Sequence, residues 1–193
     1  MSERYALKHL IVAALAGSVM VGTAIGLAGL CIVEFGWFAV GASSPHSRLV
    51  YWVTHETMIH AVQAQAKFVT APRRFTPAQV ARGFRDYDSE CVMCHGAPGV
   101  RRAAWVSGIT PTPPYLLDAA RQWTPSELKI IIANGLKMTA MPARNVRHPD
   151  SQSWDLVAFL ERLRGMPAAE YVRMRAGWRQ PLRAGIVPAE SAK

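Results

Sequence analysis

The sequence predicts an all-α fold, with three main helices in one soluble domain hung from a single N-terminal transmembrane helix. Three observations carry this. Leu10 to Val33, LIVAALAGSVMVGTAIGLAGLCIV, is a run of 24 residues without a charge. A Thr-Pro-x-Gln/Glu device occurs twice, at 76–79 and 124–127, each time ahead of apolar residues at helical spacing. Between these segments lie loops rich in proline and glycine, and no run alternates as a half-buried strand would.

The uncharged run reaches about 36 Å as a helix, enough for a hydrocarbon core of about 30 Å. It is too long for the apolar core of a signal peptide. It leads into Glu34, Phe35, Trp37 and Phe38, which read as an interfacial belt. LAGLC ahead of Cys31 hints at lipoprotein processing, but Leu30 is bulky where a small residue is expected. Residues 10–40 are therefore expected to be a retained anchor. Arg4 and Lys8 precede it, so residues 1–9 are expected in the cytoplasm and the rest outside. Gly22 and Gly26 form a GxxxG that could seat a partner helix, with small-residue composition the preferred reading.

Residues 41–75 begin with a break, SSPHS, and continue as SRLVYWVTHETMIHAVQAQAKF, with Leu49, Val50, Val53, Met58, Ile59 and Val62 at helical spacing. This predicts an amphipathic helix over 47–68, lying on the membrane or packing on the soluble domain. His55 and His60, five apart, do not share a helix face, and His46 precedes them, so no metal site is expected there.

Residues 76–170 hold the main domain. Thr76 is a capping threonine with Pro77 at the first helical position and Gln79 closing the box, so a helix should run through Ala81 and Phe84 toward Cys91. Thr124, Pro125 and Glu127 repeat the device ahead of LKIIIANGL, ending near Gly135. A third helix should start at Asp150 to Ser153 and run through WDLVAFLERL. Residues 171–193 read as a basic C-terminal tail.

Three helices with long loops are short of core and call for an internal staple or filler. DSECVMCHGAPG, at 88–99, supplies a candidate: Cys91, Cys94 and His95. A disulfide redox pair would follow a strand and open a helix, and here a helix precedes it. Structural zinc needs four ligands, and no second Cys/His pair exists, since Cys31 lies in the anchor. Cys-x-x-Cys-His is also the signature of covalent haem attachment, with thioethers at Cys91 and Cys94 and His95 toward the iron. Haem fits best. Electron-transfer haems use methionine opposite the histidine, a soft ligand that raises the potential. GLKMTAMPARN offers Met138 and Met141, and Pro142 would hold Met141 in an extended loop, which favours Met141 as the second iron ligand.

From about Thr76 to Met166 the chain resembles the class I cytochromes c, with Gly83 and Tyr87 standing eight and four residues before Cys91. The resemblance implies that the last helix crosses closely at Gly83, with Val157, Phe159 or Leu160 against Tyr87. Pro114 to Leu116, PYL, resembles the family's Pro-x-Leu, which implies that the Pro114 carbonyl orients the axial His95. CHGAPG, PTPP, WTPSEL and NGLKMTAMP together resemble membrane-tethered bacterial monohaem cytochromes accessory to periplasmic dehydrogenases or terminal oxidases. Arg144-Asn145 departs from the pattern, because relatives tend to carry an aromatic or glycine after Met-Pro-Ala.

The expected function is one-electron transfer by one haem c and its iron, in a haem domain on the periplasmic side of the bacterial inner membrane. No nucleophile or carboxylate constellation stands out, so a redox carrier is expected rather than an enzyme acting alone. A fixed subunit of a larger membrane oxidoreductase is the alternative. A gas sensor would need the methionine to leave and has no signalling domain to act through. The net charge of +9 carries no nucleic-acid motif and points to acidic redox partners or anionic lipid. Arg101, Arg102, Lys137, Arg144 and Arg147 are expected to frame the docking face.

Overall fold

The structure, a computed structural model, describes residues 2–184, with side chains over 5–179. The chain divides into two compact units between Ser44 and Pro45. The first is a single helix, α1 (Ser2–Glu34). Tyr5–Glu34, 30 residues, is long and apolar enough to cross a membrane. The Ser18 and Thr23 hydroxyls donate to the Ala14 and Val19 carbonyls, each at 2.9 Å, so the two polar side chains of the run are satisfied inside the helix. Past Glu34 the Trp37 amide closes back on the Ile32 carbonyl, and Phe35 stacks on Trp37.

The second unit begins with α2 (Arg48–Ala66), capped by Ser47. It continues with α3 (Pro77–Asp86), a π turn over Tyr87–Cys91, α4 (Val92–His95) and a 3₁₀ turn over Ala104–Gly108. α5 (Ala119–Gln122), α6 (Pro125–Asn134), α7 (Asp150–Leu163) and α8 (Ala168–Ala184) follow. No strand occurs among the described residues. Both Thr-Pro capping boxes form in full, at Thr76/Gln79 and Thr124/Glu127, and start α3 and α6.

α3 and α7 cross at Gly83, where an added Cβ would lie 1.8 Å from the Asp155 carbonyl oxygen and 2.9 Å from Phe159 Cβ. The missing side chain lets the two backbones touch. Of the three residues expected against Tyr87, Phe159 makes the ring contact, at 5.2 Å between centroids. Phe84 and Tyr171 complete an aromatic cluster around it. At its edge Arg82 grips the buried Asp155 carboxylate bidentately, at 2.6 and 2.9 Å.

α2 packs on the soluble domain. Val62 is buried, Ser126 Oγ donates to the Val69 carbonyl at 2.8 Å, and Asn134 Nδ2 to Gln65 Oε1 at 3.2 Å.

The C-terminal segment departs from expectation. Instead of a basic tail from 171, the chain is helical to Ala184, and residues 185–193 lie outside the described residues. Tyr171 is fully buried, and Met174 and Trp178 pack against the core. The basic residues have a partner: Asp88, buried in the π turn, receives Arg179 Nε and the Tyr171 hydroxyl, and Arg175 Nε lies 2.9 Å from it. A carboxylate without solvent needs such cations, and in meeting them α8 is held against the turn that precedes Cys91.

Candidate functional site

α3 does not end before the cysteine motif. It widens into the π turn and passes directly into α4, so Cys91, Cys94 and His95 occupy one helical stretch. At positions i, i+3 and i+4 the two thiols and the imidazole share a face. Both cysteines are free thiols. Burial pushes the Cys91 thiol up to about 12, with Arg144 opposing and Glu90 and Asp86 adding to the rise. No cluster of three His, Cys, Asp or Glu side chains able to hold a metal occurs among the described residues.

His95 Nδ1 lies 2.7 Å from the Pro114 carbonyl oxygen. A carbonyl only accepts, so the proton sits on Nδ1 and the Nε2 lone pair is left for another partner. Burial lowers the His95 pKa, the Pro114 bond opposes this, and Arg102 adds to the lowering. The net direction favours the neutral imidazole. The Pro113-Pro114 segment is braced in turn by Arg102, whose Nη1 donates to the Pro113 carbonyl at 2.6 Å while its guanidinium stacks 4.1 Å over the Tyr115 ring. On the other side of His95, Gly96 turns the chain at φ +66, and its carbonyl accepts from the buried Tyr87 hydroxyl at 2.6 Å.

The methionine loop is fastened to the end of α6. Gly135, at φ +64, has no room for a Cβ, which would lie 2.6 to 2.7 Å from backbone atoms of Met141, Pro142 and Ala143. Leu136 N donates to the Met141 carbonyl at 3.2 Å, and Met141 N donates to Thr139 Oγ1 at 3.1 Å. Met141 is therefore partly buried in a pinned turn. Met138 stands in the left-handed region at φ +61 with its side chain 83 % exposed.

Arg144 corrects the sequence reading. It is not part of an exposed basic surface but 8 % exposed, paired with Asp86 at 2.9 Å and with Glu90, and reaching Gln152 on α7. Its charge is neutralised by two carboxylates more than fifty residues away in sequence. Arg102 is likewise engaged within the domain. Of the five residues expected at a docking face, Arg101, Lys137 and Arg147 remain exposed.

Residues 78–160, a little under half of the chain, match the family described as cytochrome c oxidase, cbb3-type, subunit III. Residues 78–160 form a class I c-type cytochrome domain. A search of curated proteins finds no match. A cytochrome c domain of this kind implies covalently bound haem c with its iron, and a role in electron transfer. The side chains present fit that group: two thiols and an imidazole on one helical face, the imidazole with Nε2 free, and a thioether in a pinned loop. Sequence reasoning missed Arg144, Asp88, Gly135 and the Tyr87–Gly96 bond as parts of the cytochrome scaffold. Gly135 was legible as a helix stop, but the other three depend on partners that no local pattern reveals.

Proposed function

We propose that the chain is a membrane-tethered one-electron carrier with one haem c. Its haem domain lies on the periplasmic side of the bacterial inner membrane and serves respiratory or dehydrogenase partners. In this reading Cys91 and Cys94 hold the haem as thioethers, and His95 Nε2 and the Met141 thioether are the two iron ligands. Pro114 fixes the His95 ring. Bound haem c supplies an iron that alternates between ferric and ferrous, one electron at a time. His95 stays neutral because its Nδ1 proton is committed to Pro114, and the thioether favours the ferrous form, which raises the potential. The chain's part is to keep both ligands in place through the change of charge, so that little rearranges.

The observation that carries the reading is the 2.7 Å bond from His95 Nδ1 to the Pro114 carbonyl, on the same helical stretch as both cysteines. Met141→Ala should abolish the weak methionine-to-iron band at the red end of the oxidised spectrum and lower the potential, with Met138→Ala leaving both alone. The reverse pattern would transfer the role to Met138.

A second reading, a fixed electron-transfer subunit of a membrane oxidoreductase, is favoured by the matched family's description, which names an oxidase subunit. Extraction in mild detergent separates the two: a carrier comes out alone, and a subunit brings its complex.

A further inference from the structure

We propose that Arg144 is a positioning residue that holds the methionine loop against the turn carrying the first cysteine. This rests on the reading of Met141 as a ligand and names the part of the chain that keeps it there.

Arg144 stands three residues past Met141, in the same short loop. Its backbone is tied to α6, because its amide and that of Asn145 both donate to the Ala133 carbonyl, at 3.0 and 2.9 Å. Its side chain runs to different elements. One terminal nitrogen binds Asp86 at 2.9 Å and reaches Gln152 on α7, and the other binds Glu90. Asp86 ends α3, and Glu90 directly precedes Cys91 in the π turn. A single residue thus joins the end of α6, through its backbone, to the end of α3, the α7 start and the haem-attachment turn, through its guanidinium.

Arginine suits this task and lysine does not, because the planar fork reaches two carboxylates at fixed angles while an ammonium is a single point of charge. Arg144 is the buried member of the set, while Asp86 is half-buried and Glu90 exposed, so the guanidinium has no solvent to replace these partners. Desolvation raises the Asp86 pKa, and the Arg144 guanidinium opposes that rise. The loop is short, from Gly135 to Arg144, and is also fixed at Leu136 and Thr139. Movement of the Arg144 end would therefore be transmitted to Met141.

The test uses the full-length, haem-loaded protein with four variants: Arg144→Met, Arg144→Lys, Asp86→Asn/Glu90→Gln/Arg144→Met, and Met141→Ala. Three quantities are measured: the methionine-to-iron band, affinity for added imidazole, which competes with the methionine for ferric iron, and amide exchange over residues 136–145. Arg144→Met should retain covalent haem, bind imidazole at least tenfold more tightly, and exchange loop amides at least tenfold faster. Arg144→Lys should fall between it and the parent, and it carries the test if Arg144→Met fails to fold. In the triple variant neither carboxylate keeps its charge after the cation is gone. Thermal stability should recover there, while the raised imidazole affinity and fast exchange persist, because the tether is still missing. Parental imidazole affinity in the Arg144 variants, or its full return in the triple variant, would overturn the proposal and leave only an ordinary buried ion pair. Persistence of the band in Met141→Ala would instead remove the ligand assignment, and the positioning role with it.

Discussion

Gly83→Ala tests the packing that brings the haem-attachment turn to the last long helix. In an isolated helix this change is favourable by about 1 kcal/mol, since alanine is the better helix former. Here the new methyl would lie 1.8 Å from the Asp155 carbonyl oxygen and 2.5 Å from its carbon, where ordinary contact begins at 3.4 Å. The obstacle is backbone and cannot rotate away, so α3 and α7 must separate. Overpacking a core costs about 1–3 kcal/mol and occasionally more. This site belongs at the upper end, because separation also loosens the Phe84–Phe159 and Tyr87–Phe159 ring contacts and the Arg82–Asp155 pair. Net of the helix-propensity gain, a loss of about 2 kcal/mol is expected, which lowers the melting temperature by roughly 10 °C for a domain of this size. Gly177→Ala on α8 is the matched control. Nothing lies within 4 Å of the Cβ it would add, so only the propensity gain remains and melting should rise by a few degrees. Thermal unfolding of the haem-loaded protein, followed by circular dichroism and by the haem absorption, reads both. An unchanged or higher melting temperature for Gly83→Ala would refute the backbone-to-backbone crossing.

With Arg144 inside the domain, the carrier proposal leaves Arg101, Lys137 and Arg147 to meet a diffusing acidic acceptor. Electron transfer to such an acceptor should slow as salt shortens the screening length below about 8–10 Å, and the triple change to glutamate should slow it several-fold at low salt with the haem spectrum intact. Insensitivity to both would favour the fixed subunit. For topology, a reporter fused after Lys193 should be active only if it works outside the cytoplasm, and the mature protein should begin at or next to Met1. A mature start near residue 31 or 42 would mean a cleaved signal.

Much of the fold was legible because its signals are local. An uncharged run of 24 residues, two Thr-Pro capping boxes and a Cys-x-x-Cys-His motif each state their meaning within one continuous stretch of chain. The residues missed are those whose meaning lies elsewhere in the chain. α8 read as a tail because Arg173, Arg175 and Arg179 dominate its composition, while the carboxylate that receives two of them, Asp88, lies about ninety residues earlier. Tyr171, Met174 and Trp178, at spacings of three and four, were the available sign of a packed face. Arg144 was misread for the same reason. Beside a methionine-proline pair an arginine looks solvated, and only folding brings Asp86 and Glu90 to it. The Pro114 contact could be expected from family resemblance alone, since nothing in the nineteen-residue interval from His95 dictates which carbonyl meets the ring.

The central claim is that Cys91 and Cys94 carry haem covalently, and extraction of the purified full-length protein with acidified acetone tests it most directly. The haem should stay with the polypeptide, at one per chain, and Cys91→Ala should largely lose it. Haem passing freely into the acetone from the intact protein would contradict the account.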